Sequence, residues 1–576
     1  NIELSDELYF DTSAMIPTFI SAGKYLEAKC KIRTGSALAK LVSLVPRSAV
    51  VEQNGLEVEL PYSKIEIGDI VILRSGDTIA TDGTVIEGVA SIDQSAVTGE
   101  SIPLDKYPGT NVISGSVCLS GNLKYRTEKT GKDSVLSQMI SLVRDAANSK
   151  APIARLADKA SRIFVPTVLG ISALTFCAWL SFSFSLDMAV KSAIAVLVIS
   201  CPCALGLATP AAIMTGTGRA AELGILFKNA ATLESLHNIQ TAVFDKTGTL
   251  TEGMPTVSDI ECFEIADKAK LLSVAASIEH YSEHPFAKSI CQLARKEQVQ
   301  ILKSENCKTF PGLGFSVTLT EKNEVSSPAL AGNMAFLHSQ NIPVPEHAEQ
   351  IASRFAESGK TPVFFAYRER LIGIIAFTDA PRLYSAQTIE SLKNRNINTI
   401  LLTGDNRQTA QALAKRIGID DVHAEILPQE KADEIKRLSA SGKKIAMIGD
   451  GINDAPALVS ADIGIAIGSG TDVAIASADV ILTNSNPFLL IQALELSKAV
   501  VQNIKANLFW AFFYNSLGIP LAAGVFYPLL GWQLSPSFGA LAMSISSLFV
   551  VTNALRLKKF QPTQFPALTS TVSKSI

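Results

Sequence analysis

Several things are scarce in this 576-residue chain, and each scarcity excludes something. Lys and Arg (51) nearly balance Asp and Glu (54), so the formal net charge is only -3 and no basic field argues for nucleic acid as a partner. The eight Cys lack the spacing of a disulfide framework, and Cys201 and Cys203 are the one close pair. That pattern fits reduced thiols and a cytosolic bulk rather than a stapled secreted domain. No GxxxxGK[ST] stretch occurs, so a nucleotide would not be held by a Walker loop. The chain opens at Asn1 without Met, signal peptide or transit pattern, which leads us to expect the inner part of a longer protein.

Apolar residues are plentiful. They make up 47% of the chain against 18% charged, with a mean hydropathy of +0.26, so membrane segments are expected. The length alone implies about three or four domains. Candidate spans are residues 163–184, 189–216, 506–527 and 538–555, each near the length a bilayer requires, and residues 8–29, apolar enough to span only if its polar residues face protein. Two polar blocks interrupt them, roughly 35–155 and 217–500. Lys29, Lys31, Arg33, Arg155, Lys159, Arg162, Arg219, Lys228, Lys498, Lys505, Arg556 and Lys558 flank the spans on the sides of those blocks, while the short connections carry only Asp187. By the positive-inside rule the blocks and the carboxyl terminus are cytoplasmic. Residue 1 would then lie outside, with an odd number of spans upstream if the intact protein starts in the cytosol.

Thr241–Thr251, TAVFDKTGTLT, organises the second block. Ala242-Val243-Phe244 reads as a buried strand ending at a carboxylate, followed by Lys246, Thr247 and a Gly turn. Ligands in open α/β sheets sit at the carboxyl ends of strands, which makes Asp245 a candidate nucleophile for phosphate. Further strand-like runs end at Thr403-Gly404-Asp405 and at Asp450 in IAMIGDGIND, and right-handed βαβ connections would bring these ends to one sheet edge. There Thr403 and Lys431 would bind the transferring phosphoryl group. Asp450 and Asp454, with Asp245, would hold magnesium, for which hard oxygen ligands are suited. In the first block, β-type runs around residues 48–51, 69–73 and 83–87 present Thr98-Gly99-Glu100, a Gly-flanked carboxylate placed to deliver water.

Residues 253–377 would form a separate insert. Inside the span 189–216, Pro202 disturbs the helix between Cys201 and Cys203. Thiolates two apart, helped by that distortion, suit one soft ion such as Cu(I) or a zinc-like ion. The last two spans add Tyr514, Asn515, Met543 and Ser547 and contain no Asp or Glu, which favours a monovalent ion. Asp11 and Glu27 in the first stretch are functional candidates, or else lie near the two headgroup regions.

Taken together, DKTGTLT, TGE, TGD, LPQEK, GDGINDAP, SEHP, CPC, YN and MxxSS resemble the heavy-metal P-type ATPases, copper-exporting group, over essentially the whole chain. The resemblance implies a multi-domain membrane protein: an α-helical transmembrane bundle, a β-rich actuator domain, a haloacid-dehalogenase-like α/β phosphorylation domain and an inserted α+β nucleotide-binding domain. The expected boundaries are a first helix at 1–34, actuator 35–155, two membrane helices 156–216, phosphorylation domain 217–252 and 378–500, nucleotide domain 253–377, two membrane helices 501–560 and a tail 561–576. It implies that Lys246, Thr247, Gly404 and Asp405 complete the phosphorylation site, with Thr247 also at the magnesium. Glu100, in the Thr98-Gly99-Glu100 loop, would orient the hydrolytic water. Glu279, His284, Pro285, Gly312, Gly314, Gly332 and Asn333 would hold the adenosine of ATP. Glu27 and Asp158 would receive copper from a cytosolic chaperone, and Asp11, where the family usually has Glu, would aid release. The 576 residues contain no GMxCxxC stretch, and the resemblance implies that the family's uptake Met lies on a helix upstream of Asn1. The expected activity is ATP-driven export of Cu(I), with Ag(I) as a further cargo, by a monomer in a bacterial inner membrane. A Zn(II)/Cd(II)-type pump, a haloacid-dehalogenase-type phosphatase and a non-catalytic metal-binding scaffold are the alternatives.

Overall fold

A computed structural model of the chain describes residues 10–34, 36–98, 103–183, 185–201, 203–263, 267–280, 282, 285–310, 313–320, 326–450, 454–468, 476–531 and 533–566. The chain divides into two compact units: 1–238 with 479–484 and 492–564, and 239–478 with 485–491 and 565–576.

In the first unit a seven-stranded sheet is dominated by two long antiparallel strands, Asp82–Asp93 and Val117–Lys129. Their sequences alternate, and Val85, Ile92, Leu123 and Tyr125 point into one apolar core. Gly88 and Gly121 (φ +88° each) let the strands bend: a Cβ at either would lie 2.4 Å from a carbonyl oxygen of the opposite strand. Asp82 ties the sheet to its neighbours, accepting from the Ser114 (2.8 Å) and Val135 (2.7 Å) amides, the latter opening helix Val135–Asn148. A short helical turn, Ser95–Thr98, leads to the Thr98-Gly99-Glu100 loop. Gly99 and Glu100 lie outside the described residues.

The same unit holds helices Phe10–Thr34, Pro152–Ser183, Leu186–Ile199, Cys203–Glu222 and Pro536–Leu555, and most of Leu489–Ala522. Two expectations change. The stretch 189–216 is two helices, separated where Ser200 caps the first and Cys203 opens the second. The boundary placed at 500 falls inside Leu489–Ala522, because LLIQALELSKAVVQNIKAN contains no helix breaker and the helix continues well before the apolar part. Among the described residues, three runs are long and apolar enough to cross a membrane: Val135–Phe182, Leu186–Glu222 and Pro536–Lys559. Helices Phe10–Thr34 and Leu489–Ala522, which hold the described parts of the expected spans 8–29 and 506–527, are not among these three. Asp11, Lys24 and Glu27 in the one and Asn507, Asn515 and Pro520 in the other lower their hydropathy.

The second unit carries a sheet whose strands Asp421–His423, Asn398–Leu402, Thr241–Asp245, Ile445–Gly449 and Ile463–Ile467 lie side by side and parallel where their register is defined. Asp245 pairs with Leu402, and Phe244 with Ile448, so Asp245, Thr403 and Asp450 end adjacent strands at one edge. Between Thr241–Asp245 and Asn398–Leu402 is inserted a six-stranded antiparallel sheet, Thr256–Cys262 to Arg370–Thr378. Helices Lys268–Glu279 and Pro285–Lys296 cover one face, and Met334–Ser339 and Glu346–Glu357 the other.

Candidate phosphorylation and metal sites

Strand Thr241–Asp245 is buried at every residue, which delivers a carboxylate that is only 6% exposed to the sheet edge. Beyond it the chain must turn at once, and Gly248 takes a left-handed conformation (φ +76°) open to glycine at little cost. Lys431, the first residue of helix Lys431–Ser439, bridges two acids: its Nζ donates to Asp245 Oδ1 (2.5 Å) and to Asp454 Oδ1 (2.7 Å). Lys431 and Asp454 are 7% and 1% exposed, so the cluster is nearly dry. Burial, then the like charges of Asp454 and Asp450, push the Asp245 carboxyl up to about 7 against the pull of Lys431. Burial opposes the charge on Lys431, but the two carboxylates outweigh it and hold the ammonium above its ordinary value. Lys246 pairs with Asp405, whose amide donates to Thr403 Oγ1 (3.1 Å).

These groups face one cavity of about 410 Å³, lined by Asp245, Lys246, Thr247, Thr403, Gly404, Asp405, Lys431, Asp450 and Asp454 and, on the insert, by Phe286 and Phe377. The two rings are stacked, with centroids 4.3 Å apart and planes inclined at 22°. Two further polar residues were not anticipated. Asp379 accepts from the Gly253 amide (3.0 Å) and Thr251 Oγ1, and Arg382 Nη2 donates to the Gly248 carbonyl (2.7 Å), pinning the turn beyond Asp245. The signal was present: the apolar run LIGIIAFT ends in Thr378-Asp379-Ala380-Pro381-Arg382, again a strand meeting a carboxylate.

Among the described residues no three His, Cys, Asp or Glu form a metal-holding group. Magnesium does not need one, since it commonly takes one or two carboxylates and completes its shell with waters and substrate phosphates. The oxygen donors of Asp245, Asp450 and Asp454 suit it. Gly248 and Gly449 keep space beside them, because a Cβ there would meet Asp450 Oδ2 at 3.0 Å and Asp454 Oδ2 at 2.6 Å.

On the insert, Glu279 ends helix Lys268–Glu279 at 8% exposure, and burial raises its carboxyl above the usual range against a hydrogen bond with Ser282. Pro285 opens the next helix; His284 and Gly312 lie outside the described residues. Gly314 and Gly332 are opposite one another in adjacent strands. A Cβ on either would meet the Phe336 ring (2.5 and 2.6 Å), so packing within the insert already demands these glycines. Asn333 caps Met334–Ser339 by accepting from the Phe336 amide (2.8 Å).

Cys201 sits half-buried at the break between helices and Cys203 begins the second. The expectation of reduced thiols holds at Cys118, Cys177, Cys262, Cys291 and Cys307, which are free, whereas Cys201 is disulfide-bonded. A soft ion is bound by the thiolate, so Cys201 takes part in such a site only when reduced. Tyr514 is exposed against Trp510, Asn515 and Met543 are half-buried and Ser547 is buried. Asp158 forms an exposed ion pair with Lys150 (3.3 Å), while Asp11 and Glu27 both lie on Phe10–Thr34.

The haloacid dehalogenase-like hydrolase model matches residues 239–462 and the P-type ATPase actuator domain model residues 43–144. The chain is 44% identical over 563 residues to a copper-exporting P-type ATPase of Staphylococcus saprophyticus, covering 97% of this chain and 69% of that one. It is 44% identical over 558 residues to copper-transporting ATPase 1 of Rhizobium meliloti, covering 96% and 67%. Among solved structures, a zinc-transporting PIB-type ATPase in the E2.Pi state matches with a TM-score of 0.58 and 31% identity over 94% of this chain and 86% of that chain.

Proposed function

The chain belongs to the P-type ATPase family, and from that premise we propose that it exports Cu(I) from the cytosol, driven by ATP through a phosphorylated Asp245. The observation that carries the reading is the meeting of Asp245, Lys431, Thr403 and Asp454 at one dry sheet edge, on a chain whose relatives are named for copper export. In this mechanism an Asp245 oxygen attacks the terminal phosphorus of ATP, the bond to the bridging oxygen breaks and ADP leaves. Lys431 and Thr403 stabilise the transferring phosphoryl charge, most of the work that phosphoryl transfer asks of a protein. Magnesium, when bound by Asp245, Asp450 and Asp454, supplies charge neutralisation between nucleotide and carboxylate. Glu100 then orients a water whose oxygen attacks the same phosphorus, releasing phosphate and restoring the Asp245 carboxylate.

Reduced Cys201 and Cys203 bind the cargo, with Tyr514, Asn515, Met543 and Ser547 completing or shaping the site; Glu27 and Asp158 receive it from a chaperone and Asp11 favours release. The insert holds the nucleotide at Glu279, His284 and Pro285, near the Phe286 ring that lines the phosphorylation cavity. The pump works as a monomer in a bacterial inner membrane with its polar blocks in the cytoplasm. A zinc cargo is the second reading, because the solved structures of similar fold are zinc-transporting.

Labelling with radioactive ATP tests both. The expected result is an acid-stable, hydroxylamine-sensitive phosphoprotein that requires Cu(I) and disappears in Asp245→Asn and Cys201→Ala. Equal labelling with Zn(II) sinks the copper assignment, and undiminished labelling of Asp245→Asn sinks the mechanism.

A further inference from the structure

Three asparagines outside the proposed copper-binding set are gathered at one level of the helices. Asn507, fully buried, accepts at Oδ1 from Asn553 Nδ2 (2.8 Å) and donates from Nδ2 to Asn503 Oδ1 (3.2 Å) and to the Ala208 carbonyl (3.4 Å). Asn503 Nδ2 in turn donates to the Asn553 carbonyl (2.9 Å). One residue of Leu489–Ala522 is thus bonded to Cys203–Glu222 and Pro536–Leu555 at once. Both donor hydrogens and the acceptor of the Asn507 amide are in use. Away from water, a shift of any of these helices along its axis would leave polar groups unpaired, a costly outcome.

Neighbouring contacts define how the helices run. Trp510 and Phe549 meet ring to ring (6.1 Å), Ala511 and Val550 share a buried cluster with Ala204 and Ala208, and Gly518 and Gly539 both abut Ile199. Numbers rise along one helix as they fall along the other, so the two are antiparallel, with Asn507 level with Asn553. At 1.5 Å per residue, Tyr514 stands about 10.5 Å beyond Asn507, Ser547 and Met543 stand about 9 and 15 Å before Asn553, and Cys203 stands about 7.5 Å before Ala208. Cys203, Tyr514 and Ser547, on three helices, therefore fall within about 3 Å of one level on the same side of the asparagines, with Met543 about one turn beyond Ser547. Between lies the apolar layer of Ala204, Ala511 and Val550, whose small side chains allow the close approach that the amide bonds need.

We propose that Asn507, with Asn503 and Asn553, is a register lock: a set of positioning residues that keeps three helices at the offset where Cys201, Cys203 and Met543 reach a single Cu(I). The inference rests on the export reading and adds residues that would touch neither cargo nor phosphate.

The test uses the full chain in lipid nanodiscs, with Asn553→Ala, Asn507→Asp and the longer amide Asn553→Gln. Three readouts are taken: the Cu(I) concentration that half-saturates labelling by ATP, the labelling of Asp245 by inorganic phosphate without copper, and the copper–sulfur shell by X-ray absorption. Asn553→Ala and Asn507→Asp should raise the half-saturating Cu(I) at least about tenfold, the scale of losing an outer-shell partner of a metal ligand. The copper–sulfur shell should become disordered, labelling by inorganic phosphate should stay near wild type, and Asn553→Gln should recover part of the affinity. An unchanged half-saturating Cu(I) in both variants overturns the lock. So does a loss of labelling by inorganic phosphate as large as the loss with copper, since the asparagines would then serve the fold at large. A wild-type chain with no Cu(I)-dependent labelling overturns the export reading before any variant is made.

Discussion

Lys431 stands between two carboxylates that would otherwise repel each other in a nearly dry pocket. Removing one partner of a buried ion pair costs about 3–5 kcal/mol, because the remaining charge stays buried and uncompensated. Lys431→Ala should therefore lower the thermal unfolding temperature of the phosphorylation region, and Mg²⁺ should recover part of the loss by neutralising Asp245 and Asp454. Differential scanning calorimetry with and without Mg²⁺ checks it; an identical deficit in both would remove magnesium from this cluster. Glu279 makes a different demand. Its folded carboxyl titrates above the ordinary 4.5 because it is buried. Below that value both states carry the proton; as pH rises through the window the unfolded chain releases it first, so stability falls with pH. Glu279→Gln should match wild type in stability near pH 4, exceed it at neutral pH and bind ATP more weakly. Equal stability at both pH values would show that the buried carboxyl carries no penalty.

At the scale of elements, parallel strands converge their ends, and that is why the phosphate chemistry could be placed from short apolar runs. The insert obeys another rule, since the glycines proposed for its adenosine site also serve packing. Gly332→Ala would put a methyl 2.5 Å from the Leu313 carbonyl and 2.6 Å from the Phe336 ring. Overpacking of this kind costs about 1–3 kcal/mol. The expected outcome is a lower urea midpoint for the insert together with weaker ATP binding. A variant with normal stability and lost ATP binding would assign Gly332 to the nucleotide alone. The helix break at Ser200 is a further case, as Pro202 signalled a disturbance without showing that one helix ends at Ile199 and another opens at Cys203.

For the molecule as a whole, the charge bias around the apolar stretches predicts a cytoplasmic insert. Cys307 is an exposed free thiol on that insert. A membrane-impermeant maleimide should label it in inside-out vesicles and leave it unlabelled in right-side-out ones. The reverse pattern would invert the topology. What the sequence determined by itself is the chemistry that depends on short, local arrangements: the strand ending at Asp245, the DxxxD pair Asp450 and Asp454, the CPC break, and the family these motifs identify. It was also sufficient for the β-rich first block, because alternation along a strand reports directly which side is buried. Only the tertiary structure decided what depends on neighbours far apart in the chain. Lys431 meets Asp245 across 186 positions, Arg382 reaches the Gly248 carbonyl across 134, and Asn507 joins Ala208 across 299. Such pairings leave no periodic trace in the residues between them, because they are set by strand order and helix register.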